Sequence, residues 1–362
     1  MKLEHVIALS VCGAFCGGLL PVRAEAAVRA QSAVKTLPAD KLKAAAPEAA
    51  PALAKPQIQK PKPFETAYPP YAGQGKDITS AYQSAWQEAE KPLTPQEADV
   101  LGRYKILLVP GFLGNLASGP GPLVQVHLPG LNVDVGRMFD LQMQWLTKHG
   151  LQFEYVQIET EAAPYVNAKI IASRIAASER PVILIGHSKG GVDSLYALVD
   201  NPQLAGKVAA FISMQSPFLG SPVADEVMSS RSLNGLSQRI LSNLGGKKAS
   251  LVSLTTRYAL AYYGKKQKDI ARVQGTVRVI NFCSWKNEVP GRVDTVLEPL
   301  RDGMAAVGLQ NDGLVPVQSQ MLPGGSYVKV EGLDHLGPVM DNSVLKVDQV
   351  RFFRTMISLA LH

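Results

Sequence analysis

The pattern of apolar and polar positions changes character along the chain. From Tyr104 onward, short continuous apolar runs alternate with stretches whose apolar residues recur at helical spacing. The runs cover 104–109, 153–158, 182–185, 208–212, 277–282 and 327–330, and all are strand-length and rich in β-branched, aliphatic and aromatic residues. Between and after them the spacing predicts helices over 135–149, 167–178, 190–199 and 344–361, with Asn167 as the cap of the second. Strands that are apolar on both faces and separated by helices imply a mostly parallel sheet covered on both sides, a doubly wound α/β architecture.

Two stretches interrupt the alternation. Residues 113–132 form a long Gly/Pro-rich connection after the first strong strand, and 223–275 is an insertion of about fifty residues, far longer than a strand-to-helix link needs. The insertion carries apolar residues at helical spacing, Leu233, Leu236, Ile240, Leu241 and Leu244 and then Leu251, Leu254, Tyr258 and Leu260, so it is expected to be a helical cap, acting as a mobile lid.

The first 63 residues read differently. Lys2, an apolar run over 6–22 and the small-x-small sequence Ala24-Glu25-Ala26 make residues 1–26 an expected signal peptide and the protein an exported one, periplasmic or extracellular. Residues 27–63 are rich in Ala, Pro and Lys and lack the apolar surface to offset chain entropy, so they are expected to be a disordered tether ahead of a catalytic domain over 64–362. Cys12 and Cys16 fall in the leader, which leaves Cys283 in an apolar strand as a small core side chain.

Charge changes the picture only by its location. The chain carries a net +7, of which residues 27–63 hold seven cations against two acids, leaving the part from Phe64 onward at +2. A nucleic-acid-binding domain concentrates positive charge on a folded face, so nucleic acid is not expected as a partner.

The chemistry is carried by Gly186-His187-Ser188-Lys189-Gly190, which joins the apolar run 182–185 to a helical stretch. A serine hydroxyl is a weak nucleophile and has to be held away from the sheet, toward a base. A tight strand-to-helix turn does this and needs small residues on either side, while the start of the helix favours developing negative charge. Ser188 is thus the candidate nucleophile. At the end of the first strong strand, Pro110-Gly111-Phe112 suits an oxyanion loop, with the backbone N–H groups of Phe112 and Lys189 as donors. His335, in a loop after the last strand, is the candidate base, since His127 and His149 precede Ser188, His187 is locked beside it and His362 is terminal. Asp312, in the turn Gln310-Asn311-Asp312-Gly313, is the candidate acid, with Asp334, Asp302 and Asp294 as rivals.

These residues resemble the exported bacterial triacylglycerol lipases and their relatives in the α/β-hydrolase superfamily. The resemblance rests on Val109-Pro110-Gly111-Phe112, Gly186-His187-Ser188-Lys189-Gly190-Gly191, Ser216-Pro217-Phe218-Leu219-Gly220-Ser221-Pro222-Val223-Ala224-Asp225 and Asn311-Asp312-Gly313-Leu314-Val315, in that order. It implies an α/β-hydrolase fold, an ester or lipid substrate cleaved through an acyl-enzyme, a lid over an apolar acyl pocket, and peripheral contact with lipid surfaces. Pro110 and Phe218 replace the family's usual histidines, and His335 is followed by Leu336-Gly337-Pro338 in place of the family's calcium-holding residues, so no metal and no cofactor is assigned. Esterase, phospholipase and polyester-depolymerase activities on the same residues, or a non-catalytic lipid- or envelope-binding role, are the alternatives, because substrate class depends on the pocket.

Overall fold

The computed structural model describes residues 64–112, 124–128, 131–135, 137–159, 162–229, 248–290, 294–295, 297–340 and 346–362. The expected signal peptide and tether lie outside the described residues, as do residues 230–247 of the expected cap.

In chain order the elements are β1 (Lys76–Asp77), α1 (Thr79–Glu88), α2 (Pro95–Gly102), β2 (Lys105–Val109), β3 (Val124–Leu128), β4 (Leu131–Val135), α3 (Asp140–Lys148), β5 (Phe153–Tyr155), α4 (Pro164–Ala176), β6 (Val182–His187) and α5 (Lys189–Asp200). A 3-10 turn, Pro202–Lys207, leads to β7 (Val208–Met214), α6 (Pro222–Met228), α7 (Lys248–Ser253), α8 (Thr256–Thr276), β8 (Arg278–Trp285), α9 (Glu298–Ala305), α10 (Val317–Gln320), β9 (Ser326–Glu331) and α11 (Gln349–Leu361).

Seven strands form one sheet in the order β1-β9-β8-β7-β6-β2-β5, and every pairing in it is parallel. Alternate residues of the central strands feed opposite cores. Ile106 and Leu108 of β2 and Ile183 and Ile185 of β6 pack with α3 and α11 through Leu146, Phe352 and Phe353. Leu107 and Val109 and then Val182 and Leu184 face α4, α5 and α8 through Ile171, Leu195, Ile270 and Val273. Burial on both sides explains why these strands read as unbroken apolar runs. Each such aliphatic side chain contributes about 1.5–3 kcal/mol on burial.

Every predicted strand of the main sheet is present, with shifted ends. The 153–158 run pairs only through Tyr155 because β5 is an edge strand; Val156 still donates to the Leu108 carbonyl, and the chain then leaves the sheet. The helix expected over 135–149 begins at Asp140, since residues 131–135 are paired with 124–128 in an antiparallel ribbon and Phe139 sits at φ 61°. The connection read as a loop over 113–132 therefore holds one strand and the start of the next. Asn167 is not a cap: α4 starts three residues earlier, behind Ala163 and with Pro164 in its first turn, and Asn167 is buried inside it. The two-residue β1 and helices α1 and α2 were not foreseen. Helix α2 is set by a capping box in which Thr94 and Glu97 exchange hydrogen bonds, followed by Pro95.

Within 223–275 the described residues are largely helical. Helix α8 packs as the crossover helix of the sheet, not as a flap: Tyr262 stacks on Tyr196 of α5 at 3.8 Å between ring centroids, and Ile270 and Val273 are buried. Its start is fixed by Asp225, whose carboxylate accepts from the Thr256 N–H at 3.0 Å and the Thr256 hydroxyl at 2.6 Å. Helix α8 thus belongs to the sheet's own crossover, and residues 230–247 of the expected cap lie outside the described residues.

Candidate active site

The sheet brings the motifs to one edge. β2 has β5 on one side and β6 on the other, so the chain reverses direction across the sheet at β2, and in open α/β sheets the crevice beyond the strand ends at such a point is where ligands bind. Val109 and Gly186 are register partners, which sets Pro110-Gly111 beside His187-Ser188.

Ser188 occupies the turn between β6 and α5 at φ 54°, ψ −127°, a conformation costly for a residue with a side chain and one that persists only when its surroundings enforce it. The surroundings here are close backbone contacts. A Cβ on Gly190 would strike the carbonyl oxygens of Val109 and Pro110, and one on Gly111 would come within 2.8 Å of the Ser188 Cβ. The Ser188 N–H donates to the Met214 carbonyl at 2.8 Å, pinning the turn to β7. Lys189 opens α5, so its N–H has no carbonyl one turn back to bind, and Phe112 follows the glycine that touches Ser188.

On the neighbouring loops, Nδ1 of His335 lies 2.8 Å from Asp312 Oδ2, with both residues buried. Asp312 accepts further hydrogen bonds from the Leu314 and Val315 N–H groups at Oδ1 and from Gln320 Nε2 at Oδ2. A proton on Nδ1 directed at this carboxylate leaves Nε2 of His335 as an acceptor. The Ser188 hydroxyl makes no hydrogen bond to His335 in this structure, and catalytic contacts of this kind commonly tighten only with substrate bound.

The rival acids are engaged elsewhere. Asp334 turns its carboxylate onto the N–H groups of Leu336 and Gly337 and the Thr295 hydroxyl, and burial raises its pKa. Asp294 and Asp302 both pair with the buried Arg301.

Several positions that the sequence reading passed over complete the site. His187 donates from Nε2 to the His335 carbonyl at 2.9 Å and lies 3.2 Å from Gln215 Oε1, and its ring centroid is 4.9 Å from that of His335. Gln215, at φ 52°, donates to the Asp334 carbonyl at 2.8 Å and to Ser284 Oγ at 2.6 Å. The two consecutive carbonyls of Asp334 and His335 are therefore both tied to the end of the central strands. Burial, followed by the nearby His335 ring, lowers the His187 pKa to about 3, which keeps this imidazole neutral. Beneath Ser188, Lys189 Nζ bonds both oxygens of Asp193 at 2.9 and 2.7 Å, and Asn167 Nδ2 donates to the same carboxylate at 2.7 Å. Ser221 Oγ donates to the Leu314 carbonyl at 2.6 Å, linking the 216–225 segment to the Asp312 turn.

The model of the lecithin:cholesterol acyltransferase family matches residues 161–261, which include the Ser188 turn. No curated protein matches by sequence. Among solved structures, the mature form of the Bacillus licheniformis lipase BlEst2 superposes with a TM-score of 0.52 at 19% identity, covering 71% of this chain and 91% of that one. The metagenomic carboxyl esterase MGS0156 superposes with a TM-score of 0.57 at 20% identity, covering 82% of this chain and 94% of that one. With its parallel sheet, its strained turn at Ser188 and these likenesses, the chain has the α/β-hydrolase fold.

Proposed function

We propose that the chain is a carboxylic ester hydrolase acting on lipid esters, with Ser188 as nucleophile, His335 as general base and Asp312 as the residue that orients the histidine. The observation that carries the reading is the strained Ser188 turn, together with a buried, hydrogen-bonded Asp312–His335 pair on the adjoining loops. In the reaction, His335 Nε2 takes the Ser188 hydroxyl proton as Oγ attacks the ester carbonyl. The N–H groups of Phe112 and Lys189 receive the developing oxyanion. Collapse expels the alcohol, protonated by His335, and leaves an acyl-Ser188. Water, deprotonated by His335, then attacks the acyl carbon and releases the acid and the free serine. Asp312 stabilises the imidazolium formed in each half-reaction.

Lipid esters are favoured over small soluble ones because the matched family is named for an acyl transfer from lecithin and one superposed structure is a lipase. An alcohol in place of water gives acyl transfer from the same intermediate.

Labelling with a fluorophosphonate tests the reading without knowledge of the substrate. Wild-type protein should label at Ser188 and hydrolyse p-nitrophenyl esters, while Ser188→Ala should fold, fail to label and lose turnover by about 10³-fold or more. Equal labelling of the two proteins would remove Ser188 from the mechanism. A panel of acyl chain lengths, with and without a long-chain alcohol, then reads substrate class and acceptor.

A further inference from the structure

One face of α8 takes no part in packing and has an unusual composition. At 100° per residue, Arg257, Lys265, Lys268 and Arg272 fall within an arc of about 80°, opposite the buried Ala259, Ile270 and Val273, and form a row roughly 22 Å long. All four are exposed, and the other residue between them on the same arc is the small Ala261. Arg257, Lys265 and Lys268 have no acidic partner among the described residues, whereas Arg272 pairs with Asp269, the helix's lone acid. Helix α8 carries five cations and one acid, a net +4, while the whole chain from Phe64 onward carries +2, so everything else in that region sums to a slight negative charge.

A second observation fixes which end of this row lies near the site. Helix α8 ends as β8 begins, and β8 runs parallel to β6, so α8 starts on the strand-end edge where Ser188 sits. Helix α4, which leads into β6, starts on the same edge and packs on the same side of the sheet. The two large apolar side chains that stand exposed among the described residues are Tyr165, 58% exposed in the first turn of α4, and Tyr258, 39% exposed in the first turn of α8. They flank α5, the helix that begins beside Ser188. Tyrosines with an apolar ring and a polar tip suit the level of lipid headgroups, and a row of cations suits the phosphates of anionic lipids.

We infer that the α4–α8 flank is a docking face for anionic lipid surfaces, with the α8 cations drawing the protein to the headgroups and Tyr165 and Tyr258 settling at the rim of the site. Helix α8 is not a membrane span, since no described helix is long and apolar enough to cross a bilayer. Binding is peripheral, reversible and salt-sensitive, and it brings a substrate-rich surface to the mouth of the proposed site. The purpose of the face rests on the lipid-ester reading, but its existence can be tested without turnover.

The experiment uses the full chain with Ser188→Ala, so that vesicles stay intact, and measures co-sedimentation with vesicles of phosphatidylcholine alone or with about a third phosphatidylglycerol. Binding should require the anionic lipid and fall steeply with added salt. Replacing Arg257, Lys265, Lys268 and Arg272 together by Gln should weaken it by about a hundredfold at low salt, while the same four changes in the Ser188-containing protein leave hydrolysis of a soluble ester unchanged. Tyr165→Ser with Tyr258→Ser should leave the low-salt attraction and lose the binding that persists at high salt. Because residues 27–63 are also basic, a parallel variant neutralises their seven cations. The inference is overturned if the α8 variant binds like its parent, if only the 27–63 variant loses binding, if phosphatidylcholine alone binds equally well, or if DNA is retained where anionic vesicles are not. Loss of soluble-ester turnover in wild-type protein would instead count against the proposed activity and leave the docking face standing.

Discussion

His335 is joined to Asp312 twice: its backbone N–H donates to the Asp312 carbonyl at 2.8 Å, and its Nδ1 lies 2.8 Å from the Asp312 carboxylate. The main-chain bond sets the spacing of the two loops, so the side-chain bond is preorganised. Replacing Asp312 by Asn keeps the main-chain bond and the volume but removes the charge that fixes the tautomer and stabilises the imidazolium. Asp312→Asn should therefore lower kcat by about 10²–10⁴-fold with little change in KM, and retain more activity than Ser188→Ala. Steady-state kinetics on a soluble ester decide it, and an unchanged kcat would transfer the role to another acid.

The buried Lys189–Asp193 pair lies directly below the proposed nucleophile, with side chains 1% and 0% exposed. Burial raises the Asp193 pKa, while the Lys189 ammonium and Asn167 act in the opposite direction, so the carboxylate depends on its partners to remain charged. Lys189→Met alone should cost about 3–5 kcal/mol of stability because it strands a buried carboxylate. Lys189→Met combined with Asp193→Leu should recover much of that loss. Chemical denaturation of the two single variants and the double variant measures the coupling, and additive losses would show that the two charges stand independently.

The sheet was legible in the sequence because its strands are buried on both faces, and their short length and β-branched content, as in Ile183-Leu184-Ile185, separate such runs from buried helix. Ser188 was legible because a strained turn requires particular small neighbours. Asp312 and His335 were reachable only through chain order and loop position. What could not be read was set by tertiary partners. Asn167 looks like a cap in isolation, and it is buried because Asp193 and the Glu159 backbone take its amide. The crossover role of α8 depends on Tyr196, sixty-six residues before Tyr262. His187 was set aside because it adjoins Ser188, and nothing local marks it as the donor to the His335 carbonyl.

That hydrogen bond leads to the last prediction, which joins activity to acid stability. His187 is fully buried; its Nε2 carries the proton given to the His335 carbonyl, while Nδ1 has no hydrogen-bond partner among the described residues. Protonating the ring would place an unpaired N–H and a positive charge in the interior, 4.9 Å from a second imidazole. This is why its pKa falls to about 3 in the folded protein, against about 6.5 when unfolded. The unfolded chain then binds the extra proton and the folded one does not. The contribution is complete above about pH 6.5 and is lost as pH falls from there toward 3, at up to about 1.4 kcal/mol per pH unit. His187→Gln retains a donor near the position of Nε2 and cannot titrate, and His187→Leu removes the donor altogether. Both variants should lose this part of the acid sensitivity, seen as a smaller drop in denaturation midpoint between pH 6.5 and 4 than in wild type. Near pH 7.5 they should diverge: Gln should keep activity within about tenfold of wild type, and Leu should lose more because the His335 carbonyl is left unsatisfied and its loop is free to drift. Comparing each variant with wild type at every pH cancels the opposing slope from the raised carboxylates of Asp193 and Asp334. Identical acid profiles for wild type and His187→Gln would mean that His187 does not stay neutral in the fold, and equal activity of Gln and Leu would mean that its bond to His335 does not position the base.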